Sequence, residues 1–263
     1  MIPEFWHRQT NETPLYPDMQ WSRPENKLYA GKLLVVGGNL YGFAAAASAY
    51  AEAEKAGAGT VRALLPDALR KTVGKVFVAG EFAPSTPSGS FGRRSLAELL
   101  AFSSWADGVL LAGDFGRNSE TAIVLETFAQ KYAGQLTIAK DAADYFASEP
   151  KNALNRPHTL LVVSMAQLQK IGVQARFPQA FTYGMDLVRL VETLHDFTLE
   201  HQAHIIVKHL DTIVVAVGGE VSTTRLKVDR AIWRVTAASH ASVWWMQNPS
   251  KPFEALTTAM LSL

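Results

Sequence analysis

The sequence predicts an α/β domain with helices on both faces of a mostly parallel sheet. Three observations point there. A short apolar run, Leu33-Leu34-Val35-Val36, is closed by Gly37-Gly38, as a strand buried on both faces would be. An Ala-rich stretch follows at once, and strand-like and helix-like segments alternate through the rest of the chain. At 263 residues the chain is long for one domain, but α/β folds use such lengths as a single unit with a large core.

Residues 1–29 hold Pro3, Pro14, Pro17 and Pro24 and little periodicity, which predicts an arm of short turns rather than a regular element. A single domain then covers 30–263. The arm's Trp6, Tyr16 and Trp21 need burial, first against their own domain and second against a neighbouring copy in a homo-oligomer. After the strand at 33–36, residues 43–56 predict a helix stopped by Gly57 and Gly59. Strands are expected over 60–65, ending at Pro66, and over 75–79. Residues 83–90, rich in Pro, Ser and Gly, read as a mobile loop. A helix over 96–102, a strand over 108–112, a helix from 119 with Ser119 as its N-cap, and a strand over 135–139 continue the pattern. Strand, helix, helix and strand follow over 159–163, 164–171, 186–201 and 203–208. A hairpin turns at Gly218-Gly219 between 213–217 and 221–224.

Composition narrows the partners. The 25 Lys and Arg nearly balance 24 Asp and Glu, so no strong field favours nucleic acid or an anionic membrane, and a small-molecule ligand is expected. With no cysteine, disulfides, thiolate catalysis and Cys-ligated zinc are excluded. No apolar leader or membrane-length run is present, which predicts a soluble, cytoplasmic protein.

In sheets of this kind ligands lie beyond the carboxyl ends of the strands, so the glycine turns should line the site. Gly37-Gly38-Asn39-Leu40-Tyr41-Gly42 joins a buried strand to a helix N-terminus, where amides could accept an anion or a polar ligand edge. Asn39 is the side chain best placed to touch it, although a turn serving only close packing fits the same residues. Ala112-Gly113-Asp114-Phe115-Gly116-Arg117 occupies the corresponding position further on, with Asp114 as a general base, a ribose contact or a turn residue paired with Arg117. Lys208, closing Ile205-Ile206-Val207, is placed to pair with phosphate or to be solvated at a strand end. His201, His204 and His209 lack a metal-ligand spacing and read as solvent-facing, so no metal site is expected. Trp244-Trp245-Met246 reads as core.

These strings together resemble the ADP- or ATP-dependent NAD(P)H-hydrate dehydratase family, of the ribokinase-like superfold, over about residues 25–245. The likeness is carried by Gly31-Lys32-Leu33-Leu34-Val35-Val36-Gly37-Gly38, by Lys55-Ala56-Gly57-Ala58-Gly59-Thr60-Val61, and by Asp107 through Arg117, where Asp114 replaces a usual glycine. It extends to Val207-Lys208-His209-Leu210-Asp211-Thr212, similar to a Lys-Gly-x-x-Thr segment whose lysine helps hold nucleotide phosphates. The resemblance implies a ribokinase-like three-layer α/β/α fold, a nucleotide site using Gly37, Gly38, Asn39, Gly42, Gly113, Gly116 and Lys208, ADP or ATP with Mg, and an NAD(P)H-related ligand.

Two expected motifs are missing. The family's Gly-Thr-Gly-Asp turn, whose amides hold phosphate and whose Asp is the base, falls on Thr236-Ala237-Ala238-Ser239-His240-Ala241-Ser242-Val243, with Ser242 in the aspartate's place. Its Thr-Pro-His-Pro-Gly-Glu falls near Val162-Val163-Ser164-Met165-Ala166-Gln167. The expectation is therefore a divergent dehydratase-like protein that binds a nucleotide or dinucleotide with little or no dehydratase activity. The alternative is an active dehydratase, or a small-molecule kinase, with Asp114 or His240 as a relocated base.

Overall fold

Successive residues of the central strands divide between two cores, as the pleat requires. Leu34, Val36, Val109, Leu111, Leu136 and Ile138 face one core; Leu33, Val35, Leu110 and Ala112 face the other. The computed structural model describes residues 3–75, 77, 79–226 and 233–263.

The strands are β1 (Trp6–Gln9), β2 (Lys32–Gly37), β3 (Thr60–Pro66), β4 (Gly80–Ala83), β5 (Gly108–Gly113), β6 (Gln135–Ala139), β7 (Thr159–Val163), β8 (His204–His209), β9 (Thr212–Val217) and β10 (Glu220–Arg225). They form one sheet in the order β1-β10-β9-β8-β7-β6-β5-β2-β3-β4. Among the described strands, only β9 runs against its neighbours. The helices are α1 (Pro17–Trp21), α2 (Ala44–Lys55), α3 (Arg70–Val73), α4 (Ser95–Trp105), α5 (Ser119–Lys131), α6 (Ala142–Phe146), α7 (Lys151–Leu154), α8 (Met165–Ala175), α9 (Leu187–Glu200), α10 (Trp233–Gln247) and α11 (Pro252–Ala259). Residues of α4 to α9 belong to one core, and those of α2, α3, α10 and α11 to the other. The three-layer expectation holds, with β2 inside the sheet between β3 and β5 and residues 33–36 fully buried.

Several local expectations need correction. The arm contains β1, which extends the sheet by pairing in parallel with β10, and the short helix α1. Trp6 is buried and donates from Nε1 to Thr223 at 3.0 Å, and Tyr16 packs edge-on against Phe253, but Trp21 is 87% exposed. The strand expected over 75–79 falls partly outside the described residues, and the strand found is β4, at 80–83. Asn118, not Ser119, caps α5, accepting the amides of Glu120 and Thr121. Residues 83–90 are tied down: Ser85 bridges to Phe91, and Thr86 and Ser90 are buried. His204 is not solvent-facing, since its ring packs edge-on against Trp245 at 4.9 Å. Among the described residues no helix is long and apolar enough to cross a membrane.

Candidate functional site

The carboxyl ends of β2, β5, β6, β7 and β8 share one edge of the sheet, because these strands are parallel. The turns after β2 and β5 are bonded to each other there. Gly38 donates to the Gly113 carbonyl at 3.0 Å, and Asn39 Nδ2 donates to the Asp114 carbonyl at 2.6 Å. Such closeness needs glycine: a Cβ at Gly37 would lie 2.5 Å from the Gly113 carbonyl oxygen, and Gly113 has φ +115°. Asn39 Oδ1 accepts the Tyr41 amide, so this side chain is spent on joining turns. Gly42 has open space around it, and Gly116, at φ +75°, lies against Ser90 and Asn39.

Asp114 adopts φ +61°. Its Oδ2 accepts the Ala45 amide in the first turn of α2 at 2.7 Å, and its Oδ1 accepts from Lys140 in an ion pair. Phe43, at the N-cap position of α2, makes no side-chain cap, so Asp114 performs that role from across the turn.

A cavity of about 520 Å³ opens one turn further along the sheet edge, lined by Gly116 to Ser119, Ala122, Asp141, Asp144 and Tyr145. Asp141 accepts the amides of Asp114 (2.6 Å) and Phe115 (2.9 Å). Burial still raises its carboxyl above the ordinary range against the opposing pull of those amides. The Tyr145 hydroxyl, its pKa raised chiefly by burial, donates to the Gly116 carbonyl. Beside this cavity, the buried Gln167 connects three elements. Its Nε2 donates to the Lys140 carbonyl (2.7 Å) and to Asp144 (2.9 Å), while Oε1 accepts from Ser164 N and from Arg234 Nη1 at the start of α10 (both 3.0 Å). Burial lowers the Arg234 pKa, with Asp144 and Asp141 acting the other way. Lys140, Asp141, Asp144, Gln167 and Arg234 were not singled out from sequence. The usable signal was position, since Lys140-Asp141 directly follows β6.

Lys208 lies near the end of β8, three strand steps from β5, or roughly 14 Å at normal strand spacing. It lines a separate cavity of about 350 Å³ with Leu210, Asp211 and Leu226. Next to it a cavity of about 500 Å³ lies between residues 183–187 and the β8–β9 hairpin, with Tyr183 and Leu210 exposed beside it. His209 fixes that wall through a 2.9 Å contact from Nε2 to the Met185 carbonyl.

The stretch Thr236 to Val243 is not a turn. It lies inside α10, buried on all sides, and Ser242 Oγ bonds to the Ala238 carbonyl (2.7 Å) and to Thr137 Oγ1 on β6 (2.8 Å). His240 is buried between helices, 3.2 Å from Glu52 of α2. Ser242, expected in a turn, thus sits in the body of a helix, and residues 227–232 immediately before α10 lie outside the described residues. Ser242→Asp is accordingly expected to destabilise by about 3–5 kcal/mol, as an unpaired buried charge does, measured by denaturant titration.

No protein-family model and no curated protein matches the sequence. Solved structures do resemble the chain. A ribokinase-like superfamily protein from Enterococcus faecalis superposes with TM-score 0.74 at 14% identity, covering 99% of this chain and 87% of that one. A hypothetical protein from Streptococcus mutans gives 0.71 at 14% identity, over 99% and 88%. The ADP/ATP-dependent NAD(P)H-hydrate dehydratase from Bacillus subtilis, co-crystallised with ATP and Mg²⁺, gives 0.57 at 12% identity, over 94% and 86%. At such identities the likeness is one of architecture: this chain has the ribokinase-like α/β fold.

Proposed function

We propose that the chain is a nucleotide-dependent enzyme of the NAD(P)H-hydrate dehydratase type, which phosphorylates a small-molecule hydroxyl and eliminates the phosphate. The observation that carries this is the division of one sheet edge into two separate spaces. The cavity at the β5 and β6 ends would take the acceptor, and the spaces around Lys208 and the β8–β9 hairpin would take the donor. A nucleotide held at β8 would have to extend roughly 14 Å along the sheet edge to set its terminal phosphate in line with the acceptor hydroxyl. Lys208 would meet phosphate oxygens, and the exposed Tyr183 ring beside the next cavity would offer a face for a base. Mg²⁺ would arrive on the nucleotide phosphates as part of the substrate.

The expectation of little or no activity rests on two missing motifs; Ser242 proves to be a helix-core residue and so no substitute for the base, while Val162 to Gln167 still lacks the second motif. Asp114, with both oxygens engaged, is better suited to capping than to proton abstraction. By sequence order alone, Asp229, four residues ahead of α10, is the candidate base.

The test is conversion of hydrated NADH or NADPH to the reduced nicotinamide with ATP or ADP and Mg²⁺, followed by absorbance. Turnover is expected. Lys208→Ala should raise the nucleotide KM by about 10- to 100-fold, the worth of a charge-assisted phosphate contact. Asp229→Asn should abolish turnover while nucleotide binding persists. Absence of turnover in the unmodified protein would overturn the proposal, and nucleotide binding without turnover would favour the reading of a binder with little or no activity.

A further inference from the structure

We infer that Arg234 is a phosphate-binding residue that receives the outer phosphates of the nucleotide donor between the space at Lys208 and the cavity at the β5 and β6 ends. Its position carries the first half of the case. The strands that separate β8 from β5 are β7 and β6. Arg234 is anchored at the ends of these two, because its partner Gln167 lies in the first turn of α8, directly after β7, and Gln167 Nε2 donates to the carbonyl of Lys140, which directly follows β6. A phosphate chain that runs from Lys208 toward the cavity lined by Asp141 and Asp144 crosses those strand ends.

The charge of Arg234 carries the second half. Among the described residues its guanidinium makes one hydrogen bond, from Nη1 to Gln167 Oε1 at 3.0 Å, and no ion pair. Asp144 and Asp141 are near enough to favour its charged form, but both are engaged elsewhere, Asp144 with Gln167 and Asp141 with the amides of Asp114 and Phe115. A half-buried guanidinium has lost part of its hydration, and a neutral amide restores little of it. The remaining donors of its planar fork match phosphate oxygens. Gln167, buried and bonded also to Ser164 N, is the positioning residue that holds the fork in place without neutralising it.

This inference rests on the donor and acceptor spaces proposed above, and its test reads binding, so that it and the proposed reaction can fail separately. ATP and AMP, each with Mg²⁺, are titrated calorimetrically into the unmodified protein and its variants. The unmodified protein is expected to bind ATP at least about tenfold more tightly than AMP. Arg234→Gln, which keeps an amide opposite Gln167, should weaken ATP by about 10- to 100-fold, toward the level of AMP, and leave AMP within about twofold. Arg234→Lys restores a charge without the fork and should lose only about 3- to 10-fold for ATP, whereas Lys208→Ala should weaken both nucleotides. If Arg234→Gln does not fold, Arg234→Lys carries the same comparison. Equal losses for AMP and ATP, as a merely loosened α10 would give, an unchanged ATP affinity, or an unmodified protein that binds no ATP or binds AMP as tightly would overturn the inference. The expected binding pattern without turnover would sink the dehydratase reading alone.

Discussion

Arg156→Met is expected to cost about 3–5 kcal/mol, the upper range for a single substitution, because it strips the donors from a cluster of buried carbonyls. The Arg156 guanidinium donates to the carbonyls of Ala129, Tyr132, Gly134, Pro157 and His158 and to the Thr159 hydroxyl. It thereby caps the last turn of α5 and ties the approaches to β6 and β7 together, while lying 5.5 Å from the centre of the Tyr132 ring. Methionine keeps much of the volume and none of the donors. Burial lowers the Arg156 pKa, but a guanidinium remains charged throughout the accessible pH range. Arg156→Lys should recover part of the loss, since an ammonium offers three donors without the planar fork. Denaturant titration of the three proteins would check the order parent, Lys, Met, and a loss under about 1 kcal/mol for Met would contradict it.

Acid sensitivity through His204 is the second large effect. Burial, helped by His158, pushes the His204 pKa down from 6.5 to about 4, and its Nδ1 is sealed from solvent without a partner. The folded protein therefore holds the ring neutral where the unfolded chain has begun to protonate it. The stability contribution is complete above about pH 6.5 and is lost progressively as pH falls through about 4. His204→Phe preserves the edge-on contact with Trp245 and removes the titration. Relative to that variant, the parent should lose roughly 2 kcal/mol between about pH 7 and pH 5. Equal pH profiles for the two proteins would exclude His204 as the cause.

The legibility of these features in sequence follows from how locally each is encoded. Strand β2 is covered on both faces, so it had to be a continuous apolar run, and the Ala-rich α2 and the Gly218-Gly219 hairpin carry their own short-range signals. Strand β1 has none: Trp6-His7-Arg8-Gln9 is mostly polar, and its stabilising partners, Thr223, Thr224 and the Thr257 carbonyl, are more than 200 residues away. Helix α10 is hard to read from sequence for a different reason. It is buried all round and built from small residues, so no polar face announces a helix, and motif spacing took precedence over its uninterrupted helix-compatible run. At the site, the glycine turns were placed correctly at strand ends, but the joining of Gln167 to Arg234 across 67 positions could not be read from either neighbourhood.

The pairing of β1 with β10 also bears on how the chain matures on the ribosome. Trp6 pairs in register with Val221, and Gln9 with Thr224, so β1 has no partner until β10, more than 200 residues later, has been made. The seven strands from β2 to β8 can meanwhile assemble in parallel, while residues 6–9 wait as a tethered end whose capture closes a loop of over 200 residues. Docking of this segment is thus a late folding event. Until it occurs, the β10 edge and the Trp6 recess stand open to any extended strand nearby, including the same segment of another nascent copy.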